Sequence, residues 1–138
     1  MIEIINQQHQ YPINQNKFKD LLKRLIEYYK LIDPEISLVF ADTKTIKALN
    51  LRFRKKNMPT DVLSFPIREK SVNGKFYLGD IIISVPQAFR QSLPSKHGLE
   101  KELRLLLIHG FLHLLDFEHG GKIEEEEEKI KSLMVEKG

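Results

Sequence analysis

The chain contains no cysteine, which excludes a disulfide framework and any zinc site built on thiolates and fits a reducing compartment. No apolar run approaches the roughly 18 residues that a membrane span needs. The opening residues Met-Ile-Glu-Ile-Ile-Asn lack the basic n-region and the long apolar core of a secretory signal. There is no internal repeat and no long linker. The expectation is a soluble, cytoplasmic protein folded as one domain over residues 1–138, a length sufficient for a real core.

Charge is unevenly spread. Residues 1–75 carry 14 Lys+Arg against 8 Asp+Glu, a net +6, whereas residues 76–138 carry 8 against 11, a net −3. A basic half suits an anionic partner, of which nucleic acid is the commonest. The densest patch is Arg52-Phe53-Arg54-Lys55-Lys56, an aromatic ring set among cations. Phosphate binding with a stacking aromatic would use such residues. The alternative for the same composition is a solvated loop.

Three of the five histidines fall in one window, at His109, His113 and His119. Residues i and i+4 share a face of an α-helix, so the first two imidazoles converge on one point if this stretch is helical. The third completes the set if the chain reverses soon after His113. Three neutral protein ligands with a fourth position open is the pattern of a catalytic zinc site, which reads as a metal-dependent hydrolase. A lone histidine on a leucine-rich helix is more often a core residue. Three buried imidazoles among Leu, Ile and Phe would each need a partner, and one cation satisfies all of them. Metzincin proteases use the same spacing and place Gly at the reversal, where this chain has Asp116. Asp tolerates positive φ better than most residues. The zincin general base, a Glu directly after the first His, is replaced here by Gly110.

Periodicity places the remaining elements. Residues 2–8 suit a short strand. Phe18, Leu21, Leu22, Leu25, Ile26 and Tyr29 recur at helical spacing. Ile36, Leu38 and Phe40 alternate as in a strand, and Asp42 or Thr43 caps a helix ending at Asn50. A strand over residues 62–65 stops at Pro66. Asn73-Gly74 signals a hairpin turn into an apolar strand, residues 76–85, buried on both faces. A short helix after Pro86 breaks from Pro94 to Gly98, and a long one spans residues 99–115. Glu124 to Glu128 open a last helix as a solvated face, with Ile123, Ile130, Leu133 and Met134 as its apolar positions. His9 and His97 suit surface loops. This mixture indicates an α+β domain.

The window His109-Gly110-Phe111-Leu112-His113-Leu114-Leu115-Asp116-Phe117-Glu118-His119 resembles the YbeY family motif H-G-x-L-H-L-x-G-Y-D-H. Leu49-Asn50-Leu51-Arg52-Phe53-Arg54, then Pro59-Thr60-Asp61-Val62-Leu63-Ser64-Phe65-Pro66, and finally Leu78-Gly79-Asp80-Ile81-Ile82-Ile83-Ser84 are similar to that family's other signatures. The blocks stand in family order across most of the chain. The resemblance implies a zincin-like α+β domain, with a small mixed sheet of about four strands and about five helices. It implies a single-strand-specific endoribonuclease acting in ribosomal RNA maturation, notably at the small-subunit RNA 3′ end, and in ribosome quality control. The implied partners are ribosomal RNA and small-subunit components, with no membrane and no DNA. It also implies one zinc or other divalent ion on His109, His113 and His119, and a functional arginine that maps onto Arg54.

The chain departs from the motif at Asp116, Phe117 and Glu118, where the family has Gly-Tyr-Asp. Glu118 retains a carboxylate beside the third ligand and is a candidate base, as is Asp116. Either an activated water or the 2′-hydroxyl of the RNA would attack the phosphodiester, with the Arg54 fork meeting the charge of the transition state. A metalloprotease-like peptide hydrolase and a non-catalytic ribosome-assembly factor are the other readings. Asp80 and Thr60 suit capping roles.

Overall fold

Among the described residues, alternating apolar residues form four strands and helical spacing forms five α-helices. Their order is β1 (Ile2–Asn6), α1 (Gln15–Tyr28), β2 (Glu35–Ala41), α2 (Thr43–Arg54), β3 (Val62–Lys70), β4 (Phe76–Ser84), α3 (Val85–Ser95), α4 (Gly98–Leu114) and α5 (Lys122–Lys131). A π-helical turn, Ser132–Glu136, follows α5. The structure is a computed structural model that describes residues 1–58, 60–70, 72–116 and 122–136.

The strands make one mixed sheet in the order β1-β2-β4-β3. β1, β2 and β4 run parallel, and β3 pairs antiparallel with β4 at the edge. This is the α+β arrangement expected. As anticipated for β4, both of its faces are covered. Ile81 and Ile83 enter the main core with Leu22, Leu25, Leu107 and Phe111, while Ile82 packs with Ala41, Ile46 and Leu63 on the α2 side. α4 is buried on most of its circumference, as befits a helix apolar nearly all round.

Several boundaries differ from the sequence expectation, each for a local reason. β1 stops at Asn6 because Gln8 turns inward and its side-chain amide bonds Tyr11. β3 does not stop at Pro66 but continues to Lys70. An edge strand tolerates a residue without an N–H, and the register shifts between Pro66 and Glu69 around Arg68 at φ +52°. α3 runs through Pro94, and the break comes only at Lys96 and Gly98, both at positive φ. α2 runs on past Asn50 to Arg54 and ends at Lys55 at φ +57°. Asn50 is instead buried, and its side-chain amide donates 2.9 Å to the Met58 carbonyl, pinning the loop that follows the helix. Asp42 caps α2 by accepting from the Thr45 N–H at 2.7 Å. The Thr45 side chain foremost, and then this N–H, hold the Asp42 carboxyl below its usual range. His97 is no free surface residue: its Nε2 lies 2.6 Å from the buried Glu102 carboxylate.

Candidate metal and nucleic-acid cleft

His109 and His113 sit one turn apart on α4 with their rings edge to face, and the two Nε2 atoms are 3.0 Å apart. Two nitrogens bound at about 2.05 Å to one tetrahedral ion would be about 3.3 Å apart. The pair therefore fits shared ligation with a small adjustment. Nδ1 of His109 is hydrogen-bonded to the Glu127 carboxylate of α5, the kind of outer partner that fixes the tautomer of a ligating histidine. This bond raises the imidazole pKa above its ordinary value, against the opposing effect of burial.

The pair opens on a cavity of about 450 Å³ lined also by Arg54, Thr60, Asp61, Val62, Ser64 and Pro66. Arg54, at the last position of α2, donates through Nη2 to the Ser64 carbonyl at 3.0 Å. The expected arginine and two of the three expected histidines thus share one cleft. His119 and Glu118 lie outside the described residues, and among the described residues no group of three or more His, Cys, Asp or Glu is arranged around one ion.

Ser64 joins the two walls. Its carbonyl accepts from Arg54, and its Oγ donates to the Gly110 carbonyl at 3.0 Å. The absence of a side chain at residue 110 has a packing cause. A Cβ there would stand 2.8 Å from Ile81 Cγ2 and 3.0 Å from Ser64 Oγ, so α4 lies on the sheet at a distance only Gly allows. A glutamate at this position would meet the sheet. Gly79 serves the far end of α4 likewise, since a Cβ would come within 2.7 Å of Leu114 Cδ2 and 2.4 Å of the Phe65 carbonyl.

Asp116 takes the positive φ that its residue type tolerates, +68°, and the rest of the expected reversal, residues 117–121, lies outside the described residues. Arg68, from the irregular part of β3, holds it there. Its Nε donates to the Leu114 carbonyl at 3.0 Å, and its Nη1 is paired with the Asp116 carboxylate. Asp116 is thereby engaged with a guanidinium outside the residues lining the cavity. Asp61, which does line it, is the carboxylate that sequence reasoning passed over. Asp80 accepts from the Tyr77 hydroxyl, a side-chain bond in place of the backbone cap anticipated, and Thr60 faces the cleft.

The glutamate run is not simply a solvated face. Glu126 accepts from the Tyr29 hydroxyl, whose pKa burial and this carboxylate together push far above the ordinary value. Glu127 turns to His109. The signal was present in the spacing: residues 126 and 127 lie three and four positions from both Ile123 and Ile130, which are buried, so they share the buried face.

Residues 3–136 match the family described as Endoribonuclease YbeY. The chain is 41% identical over 130 residues to the Endoribonuclease YbeY of Oceanobacillus iheyensis, covering 85% of this chain and 83% of that protein. It is 40% identical over 129 residues to that of Moorella thermoacetica, with 84% and 82% covered. The fold is similar to the solution structure of TM1509 from Thermotoga maritima, with a TM-score of 0.64, 26% identity, and 96% and 89% of the two chains covered.

Proposed function

The chain belongs to the YbeY endoribonuclease family, and from that premise we propose that it is a metal-dependent nuclease that cuts single-stranded RNA in the cleft between α2 and α4. Its biological substrate, on this reading, is ribosomal RNA undergoing maturation, notably the small-subunit 3′ end. The observation that carries the proposal is the convergence of the His109 and His113 Nε2 atoms on a cavity that Arg54 also lines.

His109, His113 and His119 would hold one zinc or other divalent ion. When bound, such an ion supplies Lewis acidity toward a phosphoryl oxygen and lowers the pKa of an attacking oxygen. The protein's own groups do the rest. Arg54 spends one N–H on the Ser64 carbonyl and directs its other donors at the anionic oxygens of the phosphodiester, where charge builds in the transition state. A carboxylate takes the proton of the attacking water or 2′-hydroxyl. Asp61 in the cleft and Glu118 beside the third histidine are the two groups proposed for that role.

The peptide-hydrolase reading has no support in this geometry. Its base would stand at residue 110, where the sheet leaves no room for a side chain. Among the described residues no helix is long and apolar enough to cross a membrane.

The test is cleavage of a single-stranded ribosomal RNA precursor by metal-loaded and metal-stripped protein, with His113→Ala run alongside. We expect cutting that requires both the ion and His113, and an Arg54→Lys variant slower by about 10- to 100-fold, since Lys lacks the planar fork. Metal-loaded protein that binds the RNA and leaves it whole would move the assignment to a non-catalytic assembly factor.

A further inference from the structure

Phe53 is 55% exposed one residue before Arg54, on the end of α2 where Arg52, Lys55 and Lys56 are exposed too. Its ring is not loose. It meets the Phe65 ring at 5.5 Å between centroids and 67° between planes, and the Arg52 guanidinium lies 5.1 Å from its centroid. The neighbouring contact is Arg54 on the Ser64 carbonyl. Consecutive residues of α2 are thus braced on consecutive residues of β3, which fixes the spacing between an exposed aromatic and the arginine of the cleft. The loop beyond is pinned by Asn50.

Resting on the nuclease reading above, we propose that Phe53 is a stacking platform for an unpaired base of the RNA strand whose phosphate lies at Arg54. Cations follow the backbone while an aromatic ring takes a base, and this pairing is tolerant of sequence because every base has a π-face. Arg52 lies over one face of the ring, so the base stacks on the other face with a cation across the ring from it. The arrangement also selects for single strands. In a duplex each base has both faces covered by its neighbours, so the platform has nothing to receive. Phe53 is then a specificity residue: it lowers KM for single-stranded RNA without touching the reacting atoms.

The chain has no tryptophan, so Phe53→Trp introduces a single indole at the platform. The experiment titrates this variant, metal-stripped so that nothing is cut, with a short mixed-sequence oligoribonucleotide and with an abasic ribose-phosphate oligomer of equal length. Saturable quenching by the base-bearing strand, absent with the abasic one, is the expected result. Phe53→Ala in the same solution should bind the base-bearing strand about 5- to 150-fold more weakly, with Phe53→Tyr close to the parent and the abasic strand bound alike by all. In the metal-loaded protein Phe53→Ala should raise KM by a similar factor at nearly constant kcat. Absence of quenching, equal quenching by both strands, or unchanged affinity in Phe53→Ala overturns the proposal. Because the titration needs neither metal nor cleavage, a failure of the nuclease reading leaves its outcome intact. Cleavage without quenching removes the platform alone.

Discussion

At His109 the two ring nitrogens have different neighbours, Glu127 on Nδ1 and His113 on Nε2. A carboxylate on Nδ1 favours the tautomer with the proton on that side, the one a histidine ligating through Nε2 adopts. Outer-shell partners of this kind are worth roughly 10- to 100-fold in metal affinity. On the proposed metal reading, Glu127→Ala should therefore weaken zinc binding by about that factor, measured by competition with a chromophoric chelator. The melting temperature of the metal-stripped protein should change little, because Glu127 is only partly buried. A loss of stability equal to the loss of affinity would show Glu127 to be a scaffold residue instead. His109 and His113 were legible in the sequence because their spacing is local, and Arg54 through the block that resembles the family's. Asp61 was not, since only the fold brings the start of β3 to the side of α4.

The elements that carry these residues owe their ends to single side chains. α4 stops at Leu114, and the Arg68 guanidinium takes that residue's carbonyl and the Asp116 carboxylate together. Cations suit the carbonyl-rich end of a helix. Arg68→Ala should cost about 1–2 kcal/mol of stability in thermal or urea unfolding. Adding Asp116→Gly should recover part of it, because Gly holds φ +68° without strain. If the double variant is no more stable than Arg68→Ala alone, the strain assigned to Asp116 is absent. The strand and helix periods were legible at this scale, and the errors fell where a non-local partner intervened. Pro66 reads as a stop only until the strand is known to lie at an edge. Pro94 reads as a break only until its place in the final turn of α3 is known. The glutamates of α5 read as solvated because charge was weighed ahead of spacing.

Across the whole molecule the basic residues 1–75 supply α2 and the start of β3, and the more acidic remainder supplies the histidine helix and its glutamate support. The cleft is the seam between these halves. RNA affinity should fall as salt rises, and neutralising Arg52, Lys55 and Lys56 together should flatten the logarithmic slope by about 2, at roughly 0.7 per lost phosphate contact on a single strand. An unchanged slope, read from anisotropy titrations across salt, would place the backbone contacts elsewhere. Ser64 ties the arginine to the histidine helix, its carbonyl receiving Arg54 and its hydroxyl reaching Gly110. Sheet geometry makes that hinge pin all-or-none. A slip of β3 by one residue against β4 would invert every side chain along the strand, turning the serine hydroxyl away from α4 and offering Leu63 in its place. The distance between guanidinium and imidazoles is thus not tuned by any loop; it is a reading of strand register, and whatever disturbs that edge pairing silences the cleft without touching a single residue inside it.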